Sequence, residues 1–168
     1  NKNELIFEGD FVDGKKWKGK GKEYDLRHRL IFEGDFVDGK KWKGKGKEYD
    51  YKNNLIFQGE YVEGKKLNGI IYEYYDNGKL KFEGEYLNGE KTGKAKKYFS
   101  NGNLDFEGEY LNGQKNGKGK EYYYEGQLQF EGEYLNGYRT GKAKEYYSKG
   151  GLCFEGEYLN GYRLKGKE

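Results

Sequence analysis

Two side chains have the chemistry of a reactive centre. They are His28 and Cys153, the single histidine and the single cysteine of the 168 residues. An imidazole can carry protons near neutral pH, and a thiolate can attack a carbonyl or bind a metal. His28 stands between Arg27 and Arg29 in a stretch of turn character, and Cys153 has no histidine near it in sequence. A zinc site takes about four ligands of these types, which one of each cannot supply. We read His28 as a surface turn residue and Cys153 as a partly packed thiol. Asp and Glu recur beside Lys too regularly to be an acid–base pair. Gly-x-Gly pieces such as Gly19-Lys20-Gly21 do not open a helix after a strand, so they fail the condition for a phosphate loop. The expectation is no catalysis, no metal and no cofactor.

A binding chemistry is more visible. Lys15-Lys16-Trp17-Lys18 returns as Lys40-Lys41-Trp42-Lys43, and weaker echoes stand at Lys65-Lys66-Leu67 and Arg163-Leu164-Lys165. Lysines around an apolar tip suit an anionic membrane, where each contributes about 1 kcal/mol and Trp favours the interface. The competing reading is that an extra residue forms a bulge here and the Trp covers the sheet edge. We favour the second reading, because this chain needs apolar cover.

The elements that carry these residues repeat. The anchors are Phe7, Phe32, Phe57, Phe82, Phe106, Phe130 and Phe154, spaced by 25 residues three times and then by 24 three times. A fixed period in this range means one supersecondary unit stacked on copies of itself. Leu5 to Asp25 recurs letter for letter at Leu30 to Asp50, and the last copy stops part-way through a unit. No linker interrupts the series, so the expectation is a single repeat domain over residues 1–168.

Within a unit, Leu80, Phe82, Gly84 and Tyr86 alternate with Lys81, Glu83 and Glu85, the period of a half-buried strand. Asn88-Gly89 is a hairpin-turn signal. A second run, Gly93 to Phe99, ends in another turn at Ser100-Asn101-Gly102. Each unit is therefore a hairpin in an antiparallel meander. Gly weakens strand interiors, so Gly84, Gly108, Gly132 and Gly156 call for a reason. The reason expected is room for a ring from a neighbouring strand to lie on the backbone. On the other face Glu83 and Glu85 oppose Lys94 and Lys96, and later copies repeat this. We read that face as solvated ion pairs rather than a recognition surface.

Composition agrees. Hydrophobic residues are 33% and charged ones 36%, a balance that leans to disorder, but the 18% aromatic share supplies large buried areas. A net charge of +3 from 32 basic and 29 acidic side chains is too balanced for nucleic-acid binding. No run approaches a membrane span, and one cysteine fits a reducing compartment. The chain has no Met, so we expect it to be part of a longer product.

The pattern Phe-Glu-Gly-Glu-Tyr-Leu-Asn-Gly-Gln-Lys-Asn-Gly-Lys-Gly at Phe106 to Gly119 resembles the MORN repeat (membrane occupation and recognition nexus). Tyr74 to Leu80 resembles the bacterial YwqK-type variant. The resemblance implies an all-β, elongated, single-layer antiparallel β-meander or solenoid of stacked hairpins. Such proteins serve as scaffolds for helical or extended peptides, or sit at acidic membranes or the cytoskeleton. This sequence departs from the pattern: copies one to three and seven carry an extra residue after the first turn. The turns at Arg27-His28-Arg29 and Lys52-Asn53-Asn54 lack Gly and are expected to be longer or less regular.

Three functions follow from the two readings together. The first is a non-catalytic scaffold binding a helical or extended segment of another protein on its aromatic face. Tyr61, Tyr86, Tyr110, Tyr134 and Tyr158 would make the contact, with Tyr98, Tyr122 and Tyr146 on the second strands. The second is a peripheral membrane tether working through Lys15, Lys16, Trp17, Lys40, Lys41, Trp42, Lys65 and Lys66. The third is a YwqK-like antitoxin-type protein. End-to-end or edge self-association is a further expectation. The location expected is cytoplasmic, with membrane or cytoskeletal association open.

Overall fold

The computed structural model describes residues 4–167. Fourteen strands form an open antiparallel meander whose order is chain order, with no helix among the described residues. The strands are β1 Glu4–Val12, β2 Lys15–Tyr24, β3 Leu30–Val37, β4 Lys40–Tyr49, β5 Leu55–Val62, β6 Lys65–Tyr74 and β7 Leu80–Leu87. They continue with β8 Glu90–Tyr98, β9 Leu104–Leu111, β10 Gln114–Tyr122, β11 Leu128–Leu135, β12 Tyr138–Tyr146, β13 Leu152–Leu159 and β14 Tyr162–Lys167. By contacts the chain divides into two compact units, one of residues 4–71 with 86–89 and one of residues 72–85 with 90–167.

Each copy is a hairpin closed by a two-residue turn in which both residues take positive φ, for example Asn112 at 48° and Gly113 at 79°. This is the turn whose twist matches the twist of paired strands. The turns between copies are all of one kind. Gly102 N–H donates to Phe99 C=O at 2.9 Å, and His28 N–H donates to Asp25 C=O at 2.9 Å. The turns without Gly are thus no longer than the others, contrary to the expectation. His28 (φ 57°) and Asn53 (φ 73°) take the left-handed conformation that Gly takes elsewhere. The Asp25 carboxylate steadies its turn by accepting the N–H groups of Arg27 and Arg29.

Copies one, two, three and seven have a one-residue bulge after the hairpin turn, but it is not the source of their extra length, since copies five and six have two unmatched residues at the same place. Phe11 pairs with Lys16 and Asp10 with Lys18, which leaves Trp17 as the additional residue. Trp42, Leu67 and Leu164 stand in the same place. Copies five and six shift register over a longer stretch, where Gly117 (φ 80°) and Gly141 (φ 62°) turn the strand.

In the first unit the core is Phe32, Phe36, Phe57 and Tyr61, with Phe7, Ile71 and Tyr86 packed against it. In the second it is Phe106, Phe130, Tyr134, Ala143, Phe154 and Tyr158, with Tyr110 and Cys153 against it. The Cys153 thiol is therefore half-buried, as expected. The ring pairs in these clusters lie near edge-to-face, at 5.2–6.1 Å. The rings need the glycines. A Cβ on Gly108 would stand 2.7 Å from Cζ of Phe106 and 2.7 Å from the Lys118 carbonyl. A Cβ on Gly119, across the ladder, would stand 2.7 Å from the same ring. Phe106 thus covers a glycine of its own strand as well as one of its neighbour, and only the latter was expected.

Gly108→Val should lower stability by at least about 2 kcal/mol, because ring and carbonyl must both move. Leu111→Ala should change it by less than about 0.5 kcal/mol, because Leu111 is exposed. Urea midpoints of the two variants check the order.

Candidate functional site

The aromatic face is not bare. Over each anchor ring sits one cation from the second strand of the same copy. The cation-to-centroid distances are 5.7 Å for Lys16 on Phe7, 5.5 Å for Lys41 on Phe32 and 5.0 Å for Lys66 on Phe57. In the second unit they are 3.9 Å for Lys91 on Phe82, 4.2 Å for Lys115 on Phe106, 4.1 Å for Arg139 on Phe130 and 4.5 Å for Arg163 on Phe154. Each contact of this kind is worth about 0.5–2 kcal/mol.

A carboxylate 18 residues earlier holds most of these cations. Lys41 pairs with Glu23 at 3.7 Å, Lys66 with Glu48 at 2.6 Å and Lys91 with Glu73 at 2.7 Å. Arg139 pairs with Glu121, and Arg163 with Glu145 at 2.9 Å. The series breaks once. The position 18 before Lys115 is Lys97, which pairs instead with Asp105 at 2.5 Å. Lys115 turns to Glu121 at 2.5 Å, so Glu121 serves two cations. Burial acts to raise the Glu121 carboxyl, but the bonds and charges of Lys115 and Arg139 outweigh it and hold it below the usual range.

The eight tyrosines expected to meet a partner divide between two faces. Tyr61, Tyr134 and Tyr158 are buried, and Tyr86 and Tyr110 are half-buried, all on the aromatic face beneath the cations. The Tyr61 hydroxyl donates to Glu48 at 2.5 Å. The Tyr134 hydroxyl is buried beside Glu121 and Arg139 without a well-formed hydrogen bond to either. Tyr98, Tyr122 and Tyr146 lie on the opposite, charged face, where their hydroxyls donate to Glu83, Glu107 and Glu131 at 2.6–2.7 Å. Burial, then the bond to Glu107, pushes Tyr122 up to about 12. The bond to Glu131, then burial, does the same for Tyr146.

The carboxylates opposite the lysines therefore bond tyrosines as well. Cross-strand ion pairs on that face include Lys120 with Glu131 at 3.7 Å and Lys144 with Glu155 at 3.5 Å. The basic tips are also divided. Lys16, Lys41 and Lys66 are half-buried over phenylalanines, whereas Lys15, Lys40 and Lys65 are exposed. Trp17 and Trp42 are 46% and 42% exposed at their bulges. Their carbonyls accept from Asp38 N–H at 2.6 Å and Gly64 N–H at 3.0 Å, which ties each bulge to the next turn. Sequence reading missed the cation row. Its signal was a basic residue two places after every turn glycine, which we read only as a tip.

Glu121→Gln should cost about 1.5–3 kcal/mol, since it leaves two part-buried cations short of a carboxylate. The lowered carboxyl favours folding above its unfolded pKa, and that contribution fades as pH falls through the lower folded value. Glu121→Gln should accordingly flatten the acid limb of a stability profile. At the alkaline end the signs reverse. Tyrosines of the unfolded chain ionise from about 10, while folded Tyr122 and Tyr146 hold their protons to about 12. Stability should be intact below pH 10 and fall between these values, and Tyr122→Phe together with Tyr146→Phe should reduce the fall.

Comparison with known families finds a MORN repeat variant at residues 67–88 and 91–112 and the MORN repeat at residues 106–128 and 130–152. No curated protein matches the chain. The matches follow the same hairpin period that the structure shows on either side of them. Their boundaries fall near the anchors Phe106 and Phe130, and the chain is a MORN-repeat protein.

Proposed function

We propose that this chain is a non-catalytic repeat scaffold that binds another protein. The observation that supports it is an apolar row on the otherwise charged face of the second unit. Leu111, Leu135, Tyr138, Leu159 and Tyr162 occupy the strand ends beside the turns, 51–79% exposed. Leu111 pairs with Gln114, Leu135 with Tyr138 and Leu159 with Tyr162, so the row runs across β9 to β14. At about 4.8 Å per strand it extends roughly 24 Å. Gln114 interrupts the row on β10, and exposed apolar side chains grouped along one line in this way mark interaction sites more often than scattered single residues do. The buried tyrosines of the opposite face act as framework in this reading, and the partner meets the row.

A second reading, a tether to acidic membranes, draws on the exposure of Trp17 and Trp42. Against it, the half-buried lysines of the same tips already stack on rings, which leaves Lys15, Lys18, Lys40, Lys43 and Lys65 to attract an anionic surface.

Leu135→Asp with Tyr138→Asp should abolish capture of the partner in affinity purification with quantitative mass spectrometry. Trp17→Ala with Trp42→Ala should leave it intact. Salt-sensitive co-sedimentation with vesicles rich in phosphatidylserine, lost in the Trp variant, would reverse the ranking.

A further inference from the structure

An Asn-Gly pair can modify itself. The glycine peptide nitrogen attacks the side-chain carbonyl of the asparagine, and glycine has no Cβ to shield that nitrogen. Such pairs recur in this chain, at the turns and at two strand positions. They differ in what holds the glycine N–H.

In the hairpin turns of copies five, six and seven, the N–H groups of Gly113, Gly137 and Gly161 donate to the carbonyls of Lys91, Lys115 and Arg139 at 2.8–2.9 Å. In two of the turns between copies, Gly78 and Gly102 N–H donate to the Tyr75 and Phe99 carbonyls at 2.9 Å. The asparagines of those two turns are held as well. Asn77 Oδ1 accepts Lys79 N–H at 3.0 Å, and Asn101 Oδ1 accepts Asn103 N–H at 2.9 Å. Asn68 and Asn116 are half-buried inside β6 and β10.

The hairpin turn of copy four is different. There the bond to the preceding copy is made one residue earlier, from Asn88 N–H to the Leu67 carbonyl at 2.7 Å. Gly89 N–H is left with no acceptor among the described residues, and the Asn88 side-chain amide has no hydrogen-bond partner among them. Both residues are exposed. A Cβ on Gly89 would meet nothing nearer than the Tyr86 hydroxyl at 3.9 Å, so water reaches the peptide.

We propose that Asn88 is a site of spontaneous deamidation, and the preferred one in the folded chain. The Gly89 nitrogen gives its proton to water and bonds to Cγ of Asn88. The Cγ–Nδ2 bond breaks and ammonia leaves, which closes a succinimide ring. Water then opens the ring. Cleavage of the new N–Cγ bond gives aspartate, and cleavage of the original peptide bond gives isoaspartate. The turn accommodates aspartate, since Asp13 and Asp38 hold the same position in copies one and two with φ of 48° and 50°. Isoaspartate adds a methylene to the main chain of a two-residue turn, which breaks its geometry and loosens the bond to Leu67. This goes beyond the scaffold reading and needs no partner.

Peptide mapping by mass spectrometry tests it, on the 168-residue chain aged in mildly alkaline buffer at body temperature. Conversion is read as the mass gain of an amide turned acid, and isoaspartate is identified by electron-transfer fragmentation. Asn88 should convert at least about fivefold faster than Asn112, Asn136 or Asn160, the factor that one hydrogen bond of ordinary net strength supplies. In urea Asn88 and Asn112 should convert at nearly equal rates, because their surroundings in sequence are Leu-Asn-Gly-Glu and Leu-Asn-Gly-Gln. Equal rates in the folded chain, another pair ahead of Asn88, or a lead that persists in urea would overturn the proposal.

Discussion

A phenylalanine ring lying across bare glycine backbone is the contact on which the rest of this structure depends. A domain ordinarily buries its apolar faces between two packed layers, and a single-layer sheet offers its rings no second layer. The substitute here is built from one sheet. The floor is backbone at Gly108 and Gly119, where a Cβ would collide with Phe106. The walls are edge-on rings such as Tyr110 and Tyr134. The lid is the Lys115 ammonium. Phe106 is fully buried by this arrangement although few of the described residues are. Lysine and arginine are suited to the lid because their aliphatic stems cover the ring while the charge remains near water.

The carboxylates follow from the lid. A cation held over a ring loses freedom and some solvent, and a carboxylate from the preceding copy offsets both costs. That couples each copy to its neighbour electrostatically as well as by ring contact. The one irregularity shows the constraint at work. Lys97 stands where the other complete copies have Glu23, Glu48, Glu73, Glu121 and Glu145. A lysine there would repel Lys115. Two adjustments remove the conflict: Asp105 takes up Lys97, and Glu121 is shared between Lys115 and Arg139. Glu121 thereby becomes a carboxylate shared between two cations, as Glu145 is between Arg139 at 3.7 Å and Arg163 at 2.9 Å.

Most of the backbone was legible in the sequence, because period-two alternation and Asn-Gly pairs act locally. The bulges at Trp17 and Trp42 stand where they were expected, but the one-residue excess does not mark them, because the shorter copies five and six leave two residues unmatched at the same place. Three features were misjudged. Alternation along β8 already places Tyr98 with Lys94 and Lys96, so its position on the charged face could have been read; we grouped it with the first-strand tyrosines by residue type. The Asp25 and Asp50 turns looked irregular because Gly is the usual left-handed residue. His28 and Asn53 can adopt that conformation when an Asp carboxylate binds the turn amides, as Asp25 does for Arg27 and Arg29. The cation row was hidden for a deeper reason. Charged residues on an apolar face are normally read as errors of register, and here the apolar face needs them as its outer surface.

Function has to be sought in what this joint leaves free. The ring, the glycine, the cation and the carboxylate recur because folding requires them, so their repetition is weak evidence for a binding role. Tyr61 and Tyr134 belong to that set by burial, whatever their resemblance to a recognition surface. The positions at the hairpin tips are different. Leu111, Leu135 and Leu159 bury little of themselves, and Gln114, Tyr138 and Tyr162 vary between copies at one register position. A sheet stabilised copy by copy tolerates such variation, because each copy depends chiefly on its neighbours. An apolar residue retained at an exposed tip does nothing for the ring-and-glycine core, and a surface that costs solubility without adding to folding is the more informative one to test for a partner.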